Sequence, residues 1–509
     1  MQILEFIASL FVFVVGLGVL AIVVVFVADV TQRKTALRRN FPVIGHFRYA
    51  FERLGTFFRQ YFFAMDREEL PFNRAQRAWA YRAAKNVDNT VAFGSTRDLR
   101  EPGSVLFVNT PFPTLNQDAV PPRPVTVGAG CPQPYVTSAI FHISGMSYGA
   151  ISRPAVLALS QGAQRAGCWM NTGEGGLTPW HLEGGADLVF QIGTAKNGVR
   201  TLDGALSEDD VRAVAAHPQV KMFEIKLSQG AKPGKGGILP AAKVTEEIAR
   251  IRHVRAGEDA ISPNRHPDIR DNDELLDMVA RVRTLSGKPV GIKAALGGPD
   301  WLDALFARIR ARGVDCAPDF FTVDGAEGGT GAAPLALIDD MGLPLREALP
   351  MLVDKLAEHG LRERVKVVAS GKLVTPADVA WALCVGADFA VSARGFMFAL
   401  GCIQSLQCNR NTCPTGVATH NPRLQRGLIP AEKAERVAAY QRNMTHEVGV
   451  IAHACGVREP RELNRNHCRV VTPSGLSVPL HVLHPEPVPA REASPAPDPG
   501  AAAARPQSS

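Results

Sequence analysis

The chain has 509 residues, 46% of them apolar, and a formal net charge of +7. That is enough apolar material for a sizeable core and too long for one ordinary domain, though a large barrel with extensions can absorb most of it. The basic residues are scattered and aromatic content is only 7%, so nothing resembles the basic, aromatic-studded stripe of a nucleic-acid binder. Nine cysteines, an odd number, argue against a disulfide framework.

From Phe6 to Ala28 the chain carries no charge, and about 23 residues can cross a bilayer with some tilt. Arg33, Lys34, Arg38 and Arg39 follow at once, whereas the first residues carry Glu5 and no Lys or Arg. The positive-inside rule therefore predicts a single-pass anchor over residues 1–30 in the inner membrane, with the rest of the chain cytoplasmic. A cleaved signal peptide fits less well, because the basic flank is on the wrong side and no small-x-small site closes the apolar run. Residues 31–135 are mixed. "FPVIGHFRYAFERLGTFFRQYFF" spaces bulky apolar residues at helical intervals, which suits either a membrane surface or packing onto a main domain. "PFPTLNQDAVPPRPVTVG" is proline-rich and reads as an extended connection.

From about Thr137 eight short apolar runs appear, each followed by a helical pattern: "SAIFHISG", "GCWMNTGEGG", "ADLVFQIG", "KMFEIKLSQG", "PVGIKAAL", "DFFTVDG", "VKVVASG" and "ADFAVSARG". Near-continuous apolar strands alternating with helices imply a parallel sheet covered on both faces. Eight such units predict an α/β fold of the (β/α)8 TIM-barrel type, with an insertion between the fourth and fifth strands. An open doubly wound sheet is the alternative, but no strand is followed by a clean G-x-G-x-x-G.

In such a barrel the chemistry belongs at the C-terminal ends of the strands. Strand one ends in "SGMSYG", which holds Ser144, Gly145, Met146 and Ser147. Strand two presents Glu174, strand three Gln191, strand four Lys226 and strand five Lys293. Strand six delivers Asp324 and Gly325, strand seven Ser370 and Gly371, and strand eight Arg394 and Gly395. The loops after strands seven and eight commonly bind phosphate, so a phosphate-bearing cofactor is expected there. Lys226, Lys232 and Arg252 form a positive cluster that suits a dicarboxylate if it faces the pocket, and is merely surface charge if it does not. "GAKPGKGG" is not a P-loop, since it lacks G-x-x-x-x-G-K-[ST].

"GCIQSLQCNRNTCPTG" follows strand eight and places Cys402, Cys408 and Cys413 near the pocket mouth. A cysteine-rich run ending in C-P is typical of iron–sulfur ligation. Three thiolates match a three-iron cluster, or a four-iron cluster with one outside ligand, while zinc with His420 as fourth ligand is the alternative.

"GEGG", "KLSQGAKPGKGGILPAAKV", "DGAEGGTGAAP", "GADF" and the cysteine segment together resemble the FMN-binding synthase domain of glutamate synthase, over roughly Thr137 to Gly456. The resemblance implies FMN at the strand-seven and strand-eight end, held by the strand-end residues named above. It implies a [3Fe-4S] cluster on Cys402, Cys408 and Cys413. It further implies reductive amination of 2-oxoglutarate to glutamate through 2-iminoglutarate, with Glu174, Lys226, Lys232 and Arg252 contacting the substrate or shaping its pocket. The expected organisation is a transmembrane anchor over 1–30, a helical and extended region over 31–135, the FMN-binding barrel with its iron–sulfur segment over 136–456, an extension over 457–484, and a Pro/Ala/Ser tail over 485–509 expected to be disordered.

The sequence departs from that family in places. It begins Met1-Gln2 with no glutaminase, so ammonia is expected free or from a partner. It shows no NADPH fingerprint, so electrons are expected from a ferredoxin or a separate reductase. Ile238 stands where the family usually has Gln, and "SPNRHPDI" replaces "SPPPHHDI". These changes keep two other readings open: a membrane-anchored flavin and iron–sulfur redox module, or a synthase for a different 2-oxo acid or amine. Oxidation of 2-hydroxy acids would want a catalytic histidine, and His142 and His181 sit in no such motif.

Overall fold

In the computed structural model, which describes residues 1–201 and 203–487, all eight expected strands close into one parallel barrel. In chain order they are β1 (Phe141–Ile143), β2 (Met170–Asn171), β3 (Leu188–Ile192), β4 (Val220–Lys226), β5 (Val290–Ala294), β6 (Phe320–Asp324), β7 (Lys366–Ser370) and β8 (Phe389–Ser392). The ring closes where β8 pairs β1, Val391 standing opposite His142. The tail expected to be disordered falls, from residue 488 on, outside the described residues.

The chain divides into two compact units, Met1–Arg77 and a second beginning at Ala78. The first holds helix α1 (Gln2–Thr31), which is long and apolar enough to cross a membrane, and helix α2 (Gly45–Phe58). Among the described residues α1 is the one helix that meets that test of length and composition.

In the second unit a helix follows each strand: α3 (Arg153–Ala166), α4 (Pro179–Glu183), α5 (Glu208–Ala216), α6 (Asn272–Ser286), α7 (Asp300–Arg312), α8 (Leu345–Glu358), α9 (Pro376–Val385) and α10 (Arg394–Leu400). Local sequence sets the ends of these helices. Ser152, Ser207 and Asp271 cap α3, α5 and α6 by accepting from the backbone, and Gly167 and Gly287 close α3 and α6 in the left-handed conformation. A long helix, α11 (Pro430–Ala454), then packs against α3.

Two features lie outside the strand–helix alternation. Val125–Val127 and Tyr135–Thr137 pair antiparallel, so the expected extended connection ends in one arm of a hairpin whose other arm lies beyond it. Its Val127 and Tyr135 join Trp169, Met222, Phe320, Val368 and Phe389 in the core beneath the site. Val105–Phe107 and Ser477–Pro479 flank Cys468–Val471 in a three-stranded antiparallel sheet, joining segments far apart in sequence. The expected insertion between β4 and β5 carries a short antiparallel pair, Ile238–Leu239 with Ala260–Ile261, and a helical turn, Glu246–Arg252.

Candidate active site

Alternate residues of a strand point into the barrel, so register decides which polar groups meet. Gln191 on β3 stands opposite Glu224 on β4, Lys226 on β4 opposite Lys293 on β5, and Asp324 on β6 opposite Ser370 on β7. Two polar layers result. In the lower one, Glu224 accepts from Asn171 Nδ2 at 2.8 Å, Gln191 Nε2 at 2.6 Å and Thr322 Oγ1 at 2.6 Å. In the upper one, Asp324 accepts from Ser370 Oγ at 2.7 Å and from the Gly230 N–H at 3.0 Å, and lies 3.4 Å from Lys293 Nζ. Burial works against the Lys293 ammonium, but Asp324 and Glu224 outweigh it and raise its pKa. A cavity inside the barrel is bordered by Ser144, Asn171, Glu224, Lys293 and Thr322.

The loop after β2 places Glu174 beside this layer, its Oε2 3.0 Å from Lys226 Nζ. A Cβ on Gly193 or Gly237 would stand 2.5 or 2.6 Å from a Glu174 carboxylate oxygen, so both positions stay bare. Lys226 also donates to Gln229 Oε1 at 2.6 Å. Lys232 and Arg252 are buried, which settles the alternative left by their sequence: they are not solvent-exposed surface charges. Burial pushes the Glu174 carboxyl up, yet Lys226, Lys232 and Arg252 together hold it at about 2. Burial and the neighbouring Lys226 pull Lys232 down to about 8, and burial pulls Arg252 down to about 10. Arg252 Nη2 donates to the Tyr148 carbonyl at 2.6 Å, while its Nε is buried with no hydrogen-bond partner. Four buried cations thus face three largely buried carboxylates, which leaves positive charge for an anionic ligand.

The other expected site residues gather at the same strand ends. The Ser144 N–H donates to the Ser392 carbonyl at 3.1 Å, and Met146 is buried while Ser147 is half-buried. A Cβ on Gly145 would meet the Asn171 and Gln191 side-chain amides. Gly371 takes φ +142° and its backbone lies against the Gly325 N–H. Gly395 opens α10 with its N–H on Ser392 Oγ at 3.2 Å. Arg394 donates to the Thr330 carbonyl, and its Nη1 lies 3.9 Å from Cys408 Sγ, so it stands between these strand ends and the cysteine segment. Gly145, Gly325 and Gly371 are kept bare by the protein's own packing, and Lys293 and Arg394 bring positive charge to the strand ends, which suits a phosphate-bearing cofactor.

Cys402, Cys408 and Cys413 are free thiols, the first and last buried. Burial raises the Cys402 thiol, with Cys408 and Cys413 adding while Arg394 opposes. The Cys402 carbonyl accepts from Tyr81 OH at 2.6 Å, which ties down the start of the segment. His420, the alternative zinc ligand, donates its Nε2 proton to the Gly149 carbonyl at 2.8 Å. Among the described residues no three His, Cys, Asp or Glu side chains close around a single ion. The donor set, three thiols with Lys243 and Arg394 near them, suits an anionic iron–sulfur cluster.

Sequence reasoning missed three buried groups. Glu224 is the hub of the lower layer, legible only as one carboxylate inside the apolar run "KMFEIKL". Lys243 donates to the carbonyls of Ala150 at 2.8 Å and of Cys408 and Ala418 at 3.2 Å each, joining the β1 loop to the cysteine segment. His266 Nε2 donates to the Lys226 carbonyl at 3.0 Å and fixes the end of β4. His142 and His181 are fully buried and packed, His142 flat against Trp169 at 3.3 Å between ring centres.

The family model for a conserved region in glutamate synthase matches residues 118–458. A glutamate synthase large subunit-like protein of Bacillus subtilis is 38% identical over 91% of this chain and 95% of its own length. An archaeal-type glutamate synthase [NADPH] of Thermotoga maritima is 35% identical over 64% of this chain, which spans 60% of that protein. Among solved structures, a mandelate oxidase bound to 2-hydroxy-phenylacetamide aligns over 77% of this chain and 98% of its own at 16% identity and a TM-score of 0.45.

Proposed function

The chain belongs to the glutamate synthase family, and from that premise we propose that it is an FMN- and iron–sulfur-dependent oxidoreductase that reductively aminates 2-oxoglutarate to glutamate. The observation that carries this reading is the convergence of Lys226, Lys232 and Arg252 on Glu174 at the barrel mouth. The dianionic substrate needs two cationic contacts, and this cluster supplies three.

When bound, FMN supplies hydride transfer and a [3Fe-4S] cluster supplies single-electron transfer. The residues that would hold FMN are Ser144, Gly145, Met146, Ser147, Gln191, Lys293, Asp324, Gly325, Ser370, Gly371, Arg394 and Gly395; those for the cluster are Cys402, Cys408 and Cys413. Lys226, Lys232 and Arg252 bind and orient the two carboxylates. Ammonia adds to the keto carbon and water leaves to give 2-iminoglutarate, which takes up a hydride equivalent and a proton to become glutamate. Glu174, ionised in the free protein, becomes a stronger base as the substrate carboxylates take over its cations, and accepts a proton from the attacking nitrogen. Lys232, with a pKa of about 8, donates one to the departing oxygen. Lys293, charged beside Asp324, would balance negative charge on FMN.

Ammonia comes free or from a partner, and electrons come from a ferredoxin or a separate reductase. Helix α1 anchors the protein in the inner membrane as a single pass, with the barrel on the cytoplasmic side. A synthase for a less polar 2-oxo acid or a substituted amine is the second reading, favoured by Ile238. This apolar residue is 38% exposed and follows Gly237, which touches Glu174. Anaerobic assay with 15N-ammonium, reduced ferredoxin and a panel of 2-oxo acids tests the proposal. Labelled glutamate from 2-oxoglutarate is expected; no labelled amino acid from any oxo acid would leave only a redox module.

A further inference from the structure

The unit Met1–Arg77 carries a helix that the proposed reaction does not use. Helix α2 and the turn after it, Arg59–Phe63, expose both faces. Phe47, Phe51, Leu54 and Phe58 recur at helical intervals on one side, joined by Phe57, Tyr61 and Phe62; exposure among them runs from 42% at Phe58 to 67% at Phe51. Arg48, Glu52, Thr56 and Arg59 occupy the other side. An aromatic face opposite a charged one is the pattern of a helix lying in the plane of a bilayer surface.

A second observation fixes its depth. Asp29, in the last turn of α1, is buried and accepts from the Val43 N–H at 2.9 Å and from His46 Nε2 at 2.8 Å. Val43 takes φ +66°, a conformation that β-branched residues rarely adopt, and its bond to Asp29 holds it there. The start of α2 therefore lies beside the end of α1. At about 1.5 Å per residue, the apolar run Phe6–Ala28 is about 35 Å long and crosses a hydrocarbon core of about 30 Å with some tilt, which puts this junction at the lipid–water boundary. Arg33, Lys34, Arg38, Arg39, Arg48 and Arg59 cluster in the same unit and complement anionic headgroups.

We propose that α2 is an interfacial helix that lies in an anionic lipid surface on its aromatic face, latched to the membrane span α1 through Asp29. This rests on α1 being a membrane anchor. The test uses the full chain in vesicles of phosphatidylglycerol and phosphatidylethanolamine, with a photoreactive benzoylphenylalanine in place of Val15, Phe51, Thr56 or Phe58, one at a time. Lipid adducts are expected at positions 15, 51 and 58 and not at 56. Lipid adducts at 15 with only protein adducts at 51 and 58 would overturn the interfacial helix and leave the anchor standing. Absence of lipid adducts at 15 would overturn the anchor itself. Asp29→Ala is expected to keep the adduct at 15 and lose most of those at 51 and 58; an unchanged yield there would overturn the latch.

Discussion

Glu174→Gln replaces the one carboxylate that neutralises the substrate-side cations. In the free protein its carboxyl is held from 4.5 down to about 2; burial opposes ionisation, and Lys226, Lys232 and Arg252 outweigh burial. A fall of about 2.5 at roughly 1.4 kcal/mol per pKa unit stabilises the folded state by about 3 kcal/mol. The folded pKa lies below the unfolded one, so this contribution is present above about pH 4.5 and lost as the pH falls toward about 2. Glutamine cannot ionise, so the unliganded variant melts at a lower temperature at neutral pH. The carboxylates of 2-oxoglutarate then meet three cations with no internal competitor. We expect the variant to bind 2-oxoglutarate about tenfold or more tightly than the parent, which corresponds to about half of that energy. Its ligand-induced rise in Tm is expected to be larger, while turnover falls by about 100-fold or more for want of a proton acceptor. Calorimetric titration and thermal melts with and without ligand read all of this out. A variant that melts with the parent, and binds 2-oxoglutarate no better, would refute the view that Glu174 and the substrate compete for the same cations.

Other substitutions probe the remaining parts. Lys232 has a pKa of about 8, so kcat/KM is expected to fall as the pH rises through about 8. Lys232→Arg, which stays charged but cannot give up its proton, is expected to keep 2-oxoglutarate binding above about pH 8 while kcat falls at every pH, read from KM and kcat across a pH–rate profile. Ile238→Gln adds a polar group next to Gly237, which lies against Glu174, and is expected to raise preference for 2-oxoglutarate over less polar oxo acids, measured by competition. Lys243→Met strips the donor from three carbonyls and is expected to lower stability by roughly 1–3 kcal/mol and the iron content per chain, read by melting and metal analysis. Cys413→Ser is expected to abolish the iron–sulfur EPR signal while flavin absorbance remains.

The barrel was legible because its strands are continuous apolar runs, each ending in Gly or a polar residue, and that pattern has few other solutions. The polar strand ends were legible for the same reason: Lys226, Lys293 and Asp324 interrupt apolar sequence where chemistry belongs in this fold. Register was not legible. That Glu224 would collect Asn171, Gln191 and Thr322 depends on four strands, β2, β3, β4 and β6, lining up across the barrel, which no single run reveals. Lys243 was hidden because "AAKV" reads as ordinary surface, and its burial needs carbonyls from residues 150, 408 and 418 at once. Nor does local pattern bring Val105–Phe107 to Cys468–Val471, since that pairing spans the whole barrel in sequence.

The most direct test of the account is anaerobic purification of the full chain, followed by flavin, iron and sulfide analysis with EPR. The account predicts FMN, about three irons per chain and a [3Fe-4S] signal, with a flavin spectrum that changes when 2-oxoglutarate is added. Zinc in place of iron, with no flavin, would contradict it and leave the three cysteines as a structural clamp.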